Sequence, residues 1–115
     1  MYNVEGLAIT LTRGDTFYAT IVIRKKSDNT IYTPVEGDVV TFYLKKDTSS
    51  LKKNAYVYET PLIAKDIPID SLLLHLERED TMNLLLNKYV YDITLTHANG
   101  DVDTFINNAT FELVS

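Results

Sequence analysis

The chain has 115 residues, 45% of them apolar, no cysteine and a formal net charge of −5. That length and apolar content fit one domain with a single core and exclude a disordered chain. The absence of thiols excludes disulfides, thiolate metal centres and cysteine nucleophiles, the acidic balance speaks against a sequence-independent grip on nucleic acid, and no apolar run approaches the ~20 residues of a membrane-spanning helix.

The first residues, Met1 to Gly6, have neither the basic start nor the apolar centre of a secretory signal, so a soluble product made inside the cell is expected. Leu7, Ile9 and Leu11 alternate with Ala8, Thr10 and Thr12, the period of two that puts side chains on opposite faces of a strand. Arg13-Gly14-Asp15 supplies a turn. A second strand is expected from Thr16 to about Lys25, with Phe17, Ala19, Ile21 and Ile23 on one face. Ser27 to Thr30 reads as a turn, with Ile31-Tyr32 as a short return before Pro34.

Glu36-Gly37-Asp38 is another turn, followed by a strand with Val40, Phe42 and Leu44 on one face and Val39, Thr41 and Tyr43 on the other. Lys45, Lys46, Lys52 and Lys53 surround a Ser/Thr stretch that reads as a solvated loop. Ala55 to Ile63 shows weaker alternation, and Pro61 and Pro68 mark an edge or sheet-switching strand. Leu72, Leu74 and Leu76 then alternate with Leu73, His75 and Glu77. Asp80 or Thr81 is expected to cap a helix of one to two turns that runs through Leu86, with Asn87 as a left-handed stop.

Tyr89, Tyr91, Ile93 and Leu95 form one face of the next strand, which runs to His97. Asn99-Gly100 predicts a type I′ hairpin turn. Val102 to Ile106 pairs back, and Thr110 to Val114 closes the chain. Roughly seven to nine short strands separated by turn signals, with one short helix at a strand-to-strand corner, predict an all-β antiparallel sandwich in one domain over residues 1–115. Leu74, Leu76, Asp80, Tyr89, Tyr91 and Ile93 are its expected corner and core residues. Tyr89 and Tyr91 sit directly after the corner, where a tyrosine buries its ring and returns its hydroxyl to the corner backbone.

No constellation of catalytic residues emerges, and neither a metal nor a cofactor is expected. Arg13-Gly14-Asp15 matches an adhesion tripeptide but is explained by the turn. His75 and His97 fall on outward positions of strands expected to be neighbours, two ligands where zinc needs three or four. Asn99 to Asp103 gathers oxygens without the order of a calcium loop. Glu77, Glu79 and Asp80 cluster at the corner, where acids also favour a helix N-terminus. The Asn108-Ala109-Thr110 sequon has no secretory context. Tyr18, Tyr43, Tyr56 and Tyr58 are expected to be partly exposed, the kind of residue that anchors binding surfaces.

Four segments carry a family resemblance: Ile9 to Thr16; Glu36 to Phe42; Asp80-Thr81 with Leu85 to Ile93; and Asn99 to Val102 with Thr104 to Ile106. Together they resemble the N-terminal domain of the phage baseplate upper protein family and the small tail-associated proteins of phages and prophages of Gram-positive bacteria. Asn87 stands where that pattern has glycine, and the sequence ends at Ser115 without a fibre-like extension. The resemblance implies an immunoglobulin-like β-sandwich acting as a non-enzymatic virion structural protein, a building block or connector of a tail or baseplate. It also implies synthesis in the bacterial cytoplasm and, as partners, other tail proteins or further copies of the chain. The competing reading is a carbohydrate-binding module for host cell-wall polysaccharide, which needs an exposed aromatic platform. A small hydrolase using Glu77, Glu79 or Asp80 is the third.

Overall fold

A computed structural model describes residues 7–25, 27–46 and 61–115, together with the backbone of 2–5. In chain order these residues form strands β1 (Tyr2–Glu5), β2 (Ala8–Thr12), β3 (Phe17–Thr20), β4 (Val39–Lys46), β5 (Ile63–Ile67) and β6 (Leu73–Leu76), helix α1 (Arg78–Met82), and strands β7 (Lys88–Thr96) and β8 (Val102–Val114). Six strands make one sheet in the order β1-β2-β8-β7-β4-β5, and β3 with β6 makes a second. The all-β expectation holds.

Both sheets feed one core. Leu11, Phe42, Leu44, Ile93 and Phe111 from the large sheet meet Phe17, Leu74 and Leu76 from the small one, all at most 1% exposed. Full burial of a side chain of this size contributes about 1.5–3 kcal/mol, so the alternation of apolar and polar residues is what orients each strand. Tyr89 and Tyr91 belong to the same core, at 4% and 3% exposure.

The large sheet is mixed rather than antiparallel. The β1–β2 hairpin lays β2 beside the last strand in the same direction, with Ile9 opposite Phe111 and Thr12 opposite Val114. The two closing segments expected from the sequence are one continuous strand, β8. Its register against β7 shifts around Asp92, because Tyr91 faces Ala109 while Ile93 faces Ile106. Asn108, at φ 52°, takes up the extra residue of this bulge, and its N–H donates to Asp92 Oδ1 at 2.7 Å. Lys45, expected in a solvated loop, instead pairs with Asp92 at 2.6 Å from within β4.

Other boundaries also moved. Regular pairing in the second expected strand stops at Thr20, although its burial alternation continues to Ile23. A lone bridge between Arg24 and Ile31 makes the short return. The strand expected at Ala55–Ile63 falls largely outside the described residues, as do Lys52, Lys53, Tyr56 and Tyr58. Its described continuation, β5, lies between Pro61 and Pro68 and is the last strand of the large sheet among the described residues.

The corner between β6 and β7 is tighter than expected. Helix α1 starts at Arg78 with Glu77 as its N-cap, and Asp80 occupies the third helical position, where its carboxylate accepts the Glu77 N–H at 2.7 Å. Asp80 therefore closes the cap from inside rather than being the cap. The helix ends at Asn83, and Asn87 is not left-handed: its side chain accepts the Lys88 N–H at 2.8 Å, and its carbonyl accepts the Leu113 N–H at 2.9 Å. Thr81 is fully buried, and its hydroxyl accepts the Gly14 N–H at 3.0 Å, which docks the Arg13-Gly14-Asp15 turn onto the corner.

Tyr89 donates its hydroxyl to the Leu85 carbonyl at 2.6 Å, four residues upstream, as the sequence suggested. The Tyr91 hydroxyl donates to the carbonyl of Leu7, across to the start of β2. Tyr89→Phe is expected to cost about 1 kcal/mol, the net worth of one such bond. The check is a urea titration, in which the midpoint should fall at constant slope; an unmoved midpoint would count against the corner bond.

Candidate functional site

Asp38, the buried carboxylate among the described residues, gathers polar partners where residues 31–38 meet the β7–β8 turn. Asp38, just before β4, is 7% exposed. Its Oδ2 accepts the Tyr32 hydroxyl at 2.6 Å and the Val35 N–H at 3.0 Å. On the other side His97 Nδ1 lies 3.3 Å from Asp38 Oδ1, and His97 Nε2 lies 3.0 Å from Asp103 Oδ2. The Tyr32 ring meets the His97 ring edge-on, with centroids 6.1 Å apart.

Glycine makes this approach possible. Gly37 has φ 97°, and a Cβ placed on it would lie 2.9 Å from the Ala98 Cβ. The β7–β8 turn itself differs from the expected type I′ loop. Gly100 has φ 94° but Asn99 does not have a positive φ, and the Gly100 N–H donates to the His97 carbonyl at 2.9 Å. This is a turn over Ala98 and Asn99 followed by one left-handed glycine, the three-residue hairpin loop.

Asp103 and Asp38 both hold His97 above its ordinary pKa, with the hydrogen bond to Asp103 the larger influence. The Tyr32 hydroxyl, the Val35 N–H and His97 together hold Asp38 below its own ordinary value, and the same carboxylate raises the Tyr32 hydroxyl. The signs define a window. A raised histidine stabilises the fold fully below its unfolded pKa of about 6.5, and the contribution is lost as pH rises through the folded value. A lowered carboxylate contributes above its unfolded pKa of about 3.9 and is lost as pH falls through the folded value.

The fold should therefore be most resistant to heat between roughly pH 4 and 6.5 as far as this cluster is concerned. His97→Gln is expected to flatten the alkaline limb of the melting-temperature profile. Matching limbs in the two proteins would remove the cluster from the account.

Beside the cluster opens a groove of about 480 Å³, between the Ile23–Lys25 segment with Tyr32 on one side and Leu95, His97 and Val102–Phe105 on the other. Its floor is apolar, from Ile23, Leu95 and Phe105, and Arg24 and Lys25 stand on one wall. A mostly apolar cleft of this size with a few polar groups is suited to binding. The sequence marks Tyr32 and Asp38 only as strand and turn residues and Asp103 only among the oxygens of the Asn99–Asp103 turn; a single sequence carries no signal that the two loops meet.

The other candidate residues do not converge. His75 lies in the small sheet and His97 just after β7 of the large one, so the two are not brought together. His75 stacks on Tyr18, with centroids 4.3 Å apart and planes 8° apart, which covers one face of the exposed Tyr18 ring. Tyr43 is partly buried.

Asp80 is held by Lys65 and the Glu77 N–H rather than facing a second carboxylate across a cleft. Arg13 donates to the Leu84 carbonyl at 3.1 Å. Asn99 and Asp101 bond each other within the turn, and Asp103 turns to His97, so their oxygens diverge. Among the described residues no group of three or more acids or histidines is placed to hold a metal ion.

Comparisons with protein-family models, with curated proteins and with solved structures found no match to this chain.

Proposed function

We propose that this chain is a non-enzymatic assembly module with an immunoglobulin-like arrangement, serving as a tail or baseplate component of a phage or prophage of Gram-positive bacteria. The strand order supports the fold reading. On this reading β3 and β6 correspond to strands B and E, and the neighbours β5-β4-β7-β8 correspond to C′, C, F and G. Tyr89, near the start of β7, makes the backbone bond of a corner tyrosine.

The observation that carries the functional reading is the joined loop end. Residues 31–38 and the β7–β8 turn are locked together by Asp38, His97 and Asp103 and by the Gly37–Ala98 approach. Loops at this end of such sandwiches form recognition surfaces, and fixing them beforehand lowers the ordering cost of binding. The partners are other tail proteins or further copies of the chain, and the place of action is the virion tail. The sugar-platform alternative gains nothing from Tyr18, one ring face of which is taken by His75.

An antibody raised against the folded chain should decorate one end of tails purified from the source culture. Tails that carry none of the chain would overturn the reading.

A further inference from the structure

The outer edge of β8 is covered along only part of its length. β2 pairs with Phe111–Val114, and from that edge Ile9 and Leu11 reach into the core, 4% and 0% exposed. The preceding half, Val102–Asn107, pairs with β7 on one side; among the described residues no strand lies on its other side. The bulge at Asn108 separates the two halves. The uncovered half borders the groove of about 480 Å³. One β8 edge therefore has an internal strand plugging the gap between the sheets at one end and an open gap at the other.

We infer that the Val102–Asn107 edge and its groove form a slot for an extended segment of another protein, which adds a strand to β8 and fills the groove with alternate apolar side chains. Two observations on the chain's own surface carry this. An unpaired edge presents backbone N–H and C=O groups in a row, the template for strand addition. The groove floor of Ile23, Leu95 and Phe105 takes the side chains that such a strand points inward.

Charge specifies the segment further. Arg24 and Lys25 line one wall of the groove, Arg24 donating one N–H to the Asn29 carbonyl at 3.1 Å, and Asp103, also in the lining, is paired with His97. The Arg24–Lys25 wall calls for an acidic residue at the end of the apolar run. A second copy is the less suitable occupant, since each copy brings a net charge of −5. The slot is a property of the isolated chain and stands or falls independently of any place in a tail.

The test uses the purified chain and an acetylated heptapeptide of alternating valine and threonine ending in two glutamates. At saturating peptide, alternate amides within Val102–Asn107 should exchange with solvent at least about tenfold more slowly. Replacing the two glutamates by lysines should weaken binding about tenfold, and R24E/K25E should reverse that preference. The peptide swap tests the charge contact even where the double variant fails to fold.

Three results would each overturn the inference. The first is no protection of Val102–Asn107 at millimolar peptide, and the second is protection confined to the Ile63–Ile67 edge. The third is protection that grows with protein concentration in the absence of peptide, which would assign the slot to a second copy.

Discussion

Gly37→Ala is expected to destabilise the protein by about 2–4 kcal/mol, combining backbone strain with an atomic overlap. At φ 97° a side chain is strained whatever the space, and here the added carbon would lie 2.9 Å from the Ala98 Cβ. That atom is fixed to the backbone of the β7–β8 turn and cannot swing aside. The loops must part or the strain must remain, and parting them pulls His97 from Asp38.

Gly14→Ala separates the two causes. Gly14 has φ 83° but nothing within 4 Å of its would-be Cβ, so it isolates the backbone strain, about 1–2 kcal/mol. Denaturant midpoints of both variants decide the matter. Equal losses would mean that the Gly37–Ala98 contact is not a constraint, and Ala98→Gly in the Gly37→Ala background should recover the excess.

Phe111→Ala should be the most damaging single truncation, at about 3–5 kcal/mol. Phe111 is fully buried, with its ring 6.2 Å from Phe42 and 6.3 Å from Tyr91 between centroids. It also sits where β8 pairs with two strands at once, opposite Ile9 on one side and Tyr89 on the other. Removing it opens a cavity beneath three strands, and the large sheet's registers leave neighbours little freedom to collapse into it. Phe111→Leu should lose under about 1.5 kcal/mol, because volume is largely kept. If the alanine variant lost no more than the leucine one, the ring would not be the keystone of this junction.

Strand existence and face were legible in the sequence, since burial of alternate residues is a local property. Val40, Phe42 and Leu44, and Tyr89, Tyr91, Ile93 and Leu95, lie buried as their alternation indicated. Tyr89 also reaches the backbone that its position after a corner suggested. What sequence missed depends on distant segments. The parallel pairing of β2 with β8 requires knowing that the first and last strands meet.

Asp80 was legible as a capping residue but not as the third helical position, because Glu77 serves equally well as the first non-helical residue. Asn99-Gly100 marked the hairpin correctly, while its geometry follows from a loop one residue longer than the dipeptide implies. The Asp38–His97–Asp103 cluster was invisible for the same reason: its members are 59 and 6 residues apart, in segments that share no pattern.

The meeting of β2 with the end of β8 has a consequence for how the protein is made. During synthesis β1 to β7 leave the ribosome with the flank of β7 that β8 will cover still bare, and β2 has no partner on its β8 side until residues 111–114 emerge. Pairings between segments so far apart in the chain close slowly, because the entropy of a long loop is lost before any contact compensates it. The nascent chain therefore passes through an interval with two sticky borders uncovered. In that interval dilution or a chaperone, rather than the stability of the finished fold, decides between folding and aggregation.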